Sequence, residues 1–149
     1  LCAADLPIST ACAMNLKSKA GYNTMDFICF DNEPGRVYSD IVKVDGKYLF
    51  LSGLVSENLK TRDLLDGGIT FQTRTILENL QTILTEYGSD MEHVIRVEVL
   101  LKDFAERDEM NAEYVKHFNA AHLPARLCFG DVGLAAGLKI EIMATAVMK

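Results

Sequence analysis

The sequence predicts one α+β domain in which a mixed β-sheet carries two helices on one face. Three features support this prediction. An Asp45-Gly46 pair separates two apolar runs, as in a β-hairpin. A long run of apolar residues at helical spacing ends at Gly88, a typical helix terminator. Strands and helices then alternate, and the order β-ββ-α-β-α-ββ is typical of a layered α+β fold.

The first half of the chain contains a strand, a hairpin and a long helix. Residues 26–30 are short and aromatic, which predicts an edge strand, and residues 32–35 predict a turn. Residues 37–53 alternate apolar and polar side chains around Asp45-Gly46 and predict the hairpin. Residues 69–87 place their apolar side chains on one helical face.

The second half predicts a strand, a second helix and two more strands. Residues 94–101 alternate like a half-buried strand. Asp103 and Glu106 have the spacing of a capping box at the start of the second helix. Residues 126–129 and 139–148 predict the last two strands. The residues expected on the apolar face of the strand at residues 94–101 are Ile95, Val97, Val99 and Leu101. Those expected on the apolar stripe of the second helix are Met110, Tyr114, Val115 and Phe118.

Composition and charge limit the possible classes of protein. Of the 149 residues, 49 % are hydrophobic and 24 % are charged, which is ordinary for a globular domain without disulfides. The net charge of −6 argues against a non-specific nucleic-acid binder. No apolar run approaches the ~18 residues of a membrane span. Because one sheet face would remain uncovered and apolar, we expect self-association.

The cysteines and histidines predict no metal site. The three histidines form neither an HxxxH nor an HExxH pattern, and the cysteines lack CxxC spacing. This favours reduced cysteines and a cytoplasmic protein. Residues 1–25 lack a basic start and a continuous apolar centre, so they make a poor signal peptide. They are expected to be an N-terminal extension or an artificial arm before the domain at residues 26–149. The cysteines are Cys2, Cys12, Cys29 and Cys128.

One arginine and one glutamate near the end of the chain suggest a small-molecule site. Arg126 lies in the segment LPARLC and Glu141 in the segment IEI, on two strands that we expect to pair with each other. A guanidinium can hold a small carboxylate through two parallel hydrogen bonds. A neighbouring glutamate can orient or deprotonate a water. The alternatives are that Arg126 forms an interface ion pair and that Glu141 faces solvent.

Several segments resemble the RidA family, also called YjgF, from about residue 26 to the end of the chain. The resemblance implies a chorismate-mutase-like fold and a homotrimer whose sheets form a barrel-like assembly with sites in clefts between subunits. It also implies cofactor-independent hydrolysis of reactive enamines and imines, such as 2-aminoacrylate, to 2-oxo acids and ammonia. The segments are QTRTILENL (72–80), VEVLLKD (97–103), MNAEY (110–114) and PAR (124–126) together with IEI (140–142).

The resemblance also implies roles for individual residues. Arg126 would bind the substrate carboxylate and Glu141 would position the attacking water. Cys128 would contribute backbone groups rather than a nucleophilic thiol. Leu127 departs from the small residue that is usual there and is expected to narrow or reshape the pocket. The other residues implied in substrate binding are Tyr38, Ser52, Gly53 and Asn111.

Two other functions fit parts of the sequence. The first is a non-catalytic trimer that binds a keto acid or another small metabolite in the same clefts. The second is an endoribonuclease or translation inhibitor, an activity attributed to some members of the family. The acidic charge and the lack of a basic stripe interleaved with aromatic residues argue against RNA as the ligand.

Overall fold

The computed structural model describes residues 14–16, 24–31, 34–135 and 137–149. In these ranges one sheet and two helices confirm the predicted α+β class. The elements are β1 (Met14–Leu16), β2 (Met25–Ile28), β3 (Ile41–Val44), β4 (Tyr48–Leu51), α1 (Ile69–Glu86), β5 (Val94–Leu101), α2 (Arg107–Tyr114), β6 (Ala125–Phe129) and β7 (Ile140–Val147). The sheet order is β1-β2-β3-β4-β7-β5-β6.

The predicted hairpin is formed by β3 and β4. Asp45 and Gly46 have φ values of 52° and 61°, and the Lys47 amide donates to the Val44 carbonyl at 2.9 Å. Two central residues with positive φ make a type I′ turn, whose twist matches that of paired strands. Asp tolerates this left-handed conformation better than most residues and Gly adopts it freely, so this pair selects the turn.

The start of the sheet differs from the prediction. β2 was expected at an edge, but β1 pairs antiparallel with its outer side, with Met14 opposite Phe27. The predicted edge position is therefore wrong, and part of the N-terminal segment belongs to the sheet. Residues 1–13 and 17–23 of that segment, and residues 32–33 of the predicted turn, lie outside the described residues.

The last two strands do not pair with each other, contrary to the prediction. β6 pairs in parallel with β5, and β5 pairs antiparallel with β7 on its other side. The reason is the helical connection: a crossover through a helix returns the chain parallel to the strand it left. β7 then fills the position between β5 and β4.

The core lies between one face of the sheet and the helices, and we call this the helix face. α1 buries an apolar stripe against it, as predicted. The helix ends in a Schellman motif, in which Gly88 has φ of 82° and the Ser89 amide donates to the Leu84 carbonyl at 2.8 Å. The fully buried residues of the stripe include Ile76, Leu77, Leu80, Ile83 and Leu84.

Two residues expected in the core are exposed. Ile95 is 45 % exposed because Val94 pairs with Ala146 while Arg96 pairs with Thr145, so Ile95 is the extra residue of an irregular ladder. Val115 is 55 % exposed because the chain tightens from α-helix to a 3₁₀ turn directly after α2.

The predicted capping box is only half formed. The Asp103 carboxylate accepts from the Ala105 amide at 2.8 Å and caps a 3₁₀ turn that precedes α2. Glu106 does not reach back to Asp103, because its carboxylate accepts from Lys139 Nζ at 2.7 Å. This ion pair ties the start of α2 to the segment before β7.

The opposite face of the sheet, which we call the open face, carries large apolar side chains. Phe50, Leu127 and Phe129 are each about half exposed there, beside the ion pair of Arg96 with Glu98. This agrees with the uncovered face that the sequence predicted, whereas the self-association expected from it stays a prediction. No helix in the described part of the chain is long and apolar enough to cross a membrane.

The buried carboxylate of Glu113 generates a stability prediction. It accepts from Arg74 Nε at 2.7 Å and from Lys116 Nζ at 2.6 Å, which joins α2 to α1. These hydrogen bonds, that from Arg74 first, lower the pKa of Glu113 to about 2. Because its unfolded pKa is about 4.3, the stabilisation is complete above that pH and is lost as pH falls toward 2.

We therefore expect Glu113→Gln to lower the free energy of unfolding at pH 7. The difference from wild type should shrink between about pH 5 and pH 2. Urea denaturation at fixed protein concentration across this range measures it, with Glu86→Gln, an exposed carboxylate at the end of α1, as the control. A pH-independent difference would contradict the assigned role of the Glu113 charge.

Candidate functional site

Arg126 projects from β6 onto the helix face, at the edge of the sheet. It lies opposite the buried Val97 in the parallel ladder, so both side chains share that face. The Arg126 guanidinium carbon is 4.6 Å from the ring centroid of Tyr114, a cation–π contact with α2. Arg126 forms no ion pair within the described residues, so its charge is available to an anion.

Two polar atoms of α2 beside this guanidinium lack partners. Asn111 and Tyr114 are almost one turn apart, and Asn111 Oδ1 and the Tyr114 hydroxyl are both buried without a hydrogen bond within the described residues. Burial raises the pKa of Tyr114 to about 12, although the Arg126 charge opposes this shift. The hydroxyl therefore stays protonated and can donate. Buried polar atoms without partners are uncommon and indicate a place for a ligand.

Cys128 lies two residues after Arg126, on the same face of β6. Burial raises the pKa of its thiol, and the positive charges of Arg126 and Arg107 only partly offset this effect. The thiol is therefore protonated at neutral pH and is a poor nucleophile. We call the four residues Asn111, Tyr114, Arg126 and Cys128 the basic groove.

Glu141 lies on the open face, next to a glycine. A Cβ on Gly53 would come within 1.7 Å of Glu141 Oε1, so the carboxylate occupies the space that any other residue at position 53 would fill. Glu141 forms no hydrogen bond or ion pair within the described residues. Its neighbours Ile140 and Ile142 are buried in the core, which fixes the strand beneath it.

Ser52 connects Glu141 and Gly53 to the loop that carries Tyr38. The Ser52 hydroxyl donates to the Ser39 carbonyl at 2.6 Å. Tyr38 is 58 % exposed, and the guanidinium carbon of Arg36 lies 5.0 Å from its ring centroid. We call Tyr38, Ser52, Gly53 and Glu141 the acidic half-site.

Arg36 is itself held by two carboxylates. It forms ion pairs with Asp31 and Asp40, and Asp40 also accepts from the Phe30 amide at 2.8 Å. The Asp40 carbonyl accepts from the Ser52 amide at 2.9 Å. This network therefore braces the loop of Tyr38 against the end of β4.

The basic groove and the acidic half-site do not meet in one chain. Arg126 is opposite Val97 of β5, whereas Glu141 is opposite Leu100, three residues further along. Two strand spacings and three residues of rise separate their Cα atoms by about 14 Å. Their side chains also leave the sheet on opposite faces, so the expectation that paired strands bring them together is wrong.

Leu127 does not narrow the space around Arg126 within the chain. Alternate residues of a strand point to opposite faces, so Leu127 projects to the open face, where it is 41 % exposed. One chain therefore does not place Leu127 beside Arg126, and the expected effect of Leu127 on a cleft between subunits stays a prediction.

Sequence reasoning missed three residues next to these groups. It assigned Tyr114 to the core and did not select Arg36 or Arg107. The spacing of Arg107, Asn111 and Tyr114, at i, i+4 and i+7, places all three on one face of α2 and could have indicated a shared surface. Arg36 carries no comparable signal, because its contacts depend on tertiary structure. Among the described residues, no group of three or more His, Cys, Asp or Glu side chains could hold a metal ion.

The fold and these groups define an α+β protein with a guanidinium at one edge of its sheet and a separate carboxylate, neither of which forms an ion pair among the described residues. Residues 31–148 match the family model described as Endoribonuclease L-PSP. The chain therefore belongs to this family, the RidA (YjgF) family, as the sequence motifs predicted.

Similar proteins are known by sequence and by structure. Protein DfrA of Myxococcus xanthus is 36 % identical over 74 % of this chain and 84 % of its own length. The 2-iminobutanoate/2-iminopropanoate deaminase of Mus musculus is 34 % identical over 74 % of this chain and 80 % of its own. The crystal structure of NMB1025, a YjgF-family protein from Neisseria meningitidis, has a TM-score of 0.68 and 32 % identity. That match covers 79 % of this chain and 91 % of the other.

The raised pKa of Cys128 generates a prediction about its reactivity. We expect iodoacetamide to alkylate Cys128 more slowly at pH 8 than it alkylates a free cysteine in a short peptide, because less thiolate is present. Peptide mass spectrometry after timed labelling measures the rate. Alkylation of Cys128 faster than the peptide would contradict the protonated thiol.

Proposed function

We propose that the protein hydrolyses reactive 2-imino acids, including those formed from 2-aminoacrylate-like enamines, to 2-oxo acids and ammonia without a cofactor. The site would be a cleft in a homotrimer, where the basic groove of one subunit faces the acidic half-site of the next. The small carboxylated substrate would be the only other partner. The name of the mouse relative, a 2-iminobutanoate/2-iminopropanoate deaminase, supports this class of reaction.

One observation carries the proposal: a guanidinium and a carboxylate each lack a counter-charge among the described residues and lie on opposite faces of the sheet. A single small substrate cannot touch both Arg126 and Glu141 of the same chain. Two copies can bring them together if the open face of each packs against a neighbour. The apolar side chains of that face, among them Phe50 and Phe129, would then be covered.

The reaction needs few groups. Arg126 would hold the substrate carboxylate with two charged hydrogen bonds. An enamine first tautomerises to the imine, whose carbon is electrophilic. Glu141 would orient a water and accept one proton as the water oxygen bonds to that carbon. That proton then passes to nitrogen, which gives a carbinolamine. The hydroxyl proton also moves to nitrogen, the C–N bond breaks, the oxygen becomes the keto oxygen, and ammonia leaves.

The remaining groups would position the substrate. Asn111 Oδ1 can accept from the imine N–H, and the Tyr114 hydroxyl can donate to the substrate carboxylate beside Arg126. Gly53 leaves the space that Glu141 occupies, and Ser52 holds the adjacent loop. Cys128 would contribute backbone groups, consistent with its protonated thiol. Tyr38 would close the outer side of the cleft.

Two alternatives remain distinct from this proposal. A keto-acid-binding trimer would use the same groups without turnover, and the assay below separates it. RNA cleavage, the activity in the description of the family model, is not proposed because the net charge of −6 opposes the binding of a polyanion. The cytoplasmic location and the domain boundary at residue 26 stay predictions.

The test is imine hydrolysis by purified variants. An amino-acid oxidase generates 2-iminobutanoate from 2-aminobutyrate, and semicarbazide competes for the imine. Enzymatic hydrolysis therefore lowers the amount of semicarbazone that forms. Glu141→Gln should lower kcat by about 100-fold because general base catalysis is lost. Arg126→Ala should lower kcat/KM by roughly 10- to 100-fold, the value of a charged hydrogen-bonded anchor.

Glu86→Gln, an exposed carboxylate on α1, is the control and should retain the wild-type rate. Equal rates for wild type, Arg126→Ala and Glu141→Gln would contradict the proposal. Binding of 2-oxobutyrate by calorimetry in a protein that shows no hydrolysis would favour the keto-acid-binding trimer instead.

A further inference from the structure

We propose that the site prefers imino acids with a second carboxylate, four- or five-carbon 2-imino diacids, and that Arg107 binds this distal carboxylate. This inference rests on the proposed function and names its substrate class. It comes from a second guanidinium at the far end of the basic groove, which the reaction itself does not use.

The start of α2 is anchored at the end of β6, and this places Arg107. A Cβ on Gly130, directly after β6, would lie 2.3 Å from Phe104 Cβ, so the turn before α2 packs on the strand end. The Arg107 guanidinium carbon lies 5.2 Å from the ring centroid of Phe104. Arg107 is therefore at the end of β6 that is remote from Arg126.

The two arginines lie on either side of Cys128 along one groove. Arg107 is seven residues before Tyr114, two helical turns or about 10.5 Å, and Tyr114 lies beneath Arg126. Burial raises the pKa of the Cys128 thiol, which lies between the two arginines, and both positive charges oppose this shift. The carbon chain of a short diacid, with a salt-bridge distance of about 2.8 Å at each end, covers a comparable length.

The neighbouring acids leave Arg107 available. Its only ion pair within the described residues is with the adjacent Asp108 at 3.2 Å, whose side chain is 87 % exposed. Such an exposed ion pair is weak, so a ligand carboxylate can readily replace Asp108 as the partner of Arg107. The other acids of this segment are engaged elsewhere: Glu106 with Lys139, Glu109 with Thr70, and Glu113 with Arg74.

The chemistry of the groove then favours diacids over neutral imino acids. Arg126 would hold the carboxylate next to the imine carbon, which keeps the reacting atoms beside Asn111 and the water held by Glu141. The distal carboxylate would extend along β6 past Cys128 toward Arg107. A bidentate guanidinium contact at each end fixes the length of the substrate as well as its charge.

The test compares two substrates in wild type and in Arg107→Gln. Glutamate oxidase generates 2-iminoglutarate, and an amino-acid oxidase generates 2-iminobutanoate, both followed by semicarbazide competition. Wild type should show a higher kcat/KM for 2-iminoglutarate. In Arg107→Gln the ratio of the two kcat/KM values should fall at least 10-fold. Lys116→Gln, the same charge change at an exposed position of the following turn, should leave the ratio unchanged.

Each other outcome has one meaning. Hydrolysis of both substrates with a ratio unaffected by Arg107→Gln overturns this inference and leaves the proposed function intact. If neither substrate is hydrolysed, the proposed function fails, and calorimetry with 2-oxoglutarate and 2-oxobutyrate decides the inference. Tighter binding of 2-oxoglutarate that Arg107→Gln abolishes supports it, whereas equal affinities overturn it.

Discussion

The position of β5 between β6 and β7 determines where the side chains of Arg126 and Glu141 lie. β5 pairs in parallel with β6 and antiparallel with β7, so it separates the strand of Arg126 from the strand of Glu141. The register then sends the two charged side chains to opposite faces of the sheet. Neither charge has an ion-pair partner among the described residues, and each stays near the surface, where water limits the free-energy cost of an unpaired charge. This arrangement supports the proposal of two half-sites that a second subunit completes.

The residues of the two proposed half-sites are held by contacts with the neighbouring elements of the fold. Gly53 provides the space for the Glu141 carboxylate, and the hydrogen bond from Ser52 to the Ser39 carbonyl fixes the adjoining loop. On the other side, α2 presents Asn111 and Tyr114 to Arg126 while the ion pair of Arg74 with Glu113 locks α2 to α1. Such preorganisation limits the cost of ordering the site when a ligand binds.

The sequence contained enough to predict most local structure, whereas the candidate site residues stay predictions. Asp45-Gly46, Gly88 and the apolar stripe of α1 act within a few residues, and the structure confirms all three features. Strand adjacency is different, because local patterns do not show that the crossover through α2 places β6 beside β5. The same limit explains Ile95, since an irregular ladder depends on the partner strand. Arg107 and Tyr114 could be recognised as neighbours of β6 only from the tertiary structure, which places α2 against that strand.

We propose that Arg126 and Glu141 act together across a subunit interface, and complementation between two inactive variants tests this proposal. Arg126→Ala and Glu141→Gln subunits are co-expressed with different tags, and mixed oligomers are isolated through both tags. In a closed trimer that contains both kinds of subunit, about one interface in three combines an intact Arg126 with an intact Glu141. Imine hydrolysis should therefore recover to about a third of the wild-type rate. Mixed oligomers as inactive as either parent would contradict a site shared between subunits.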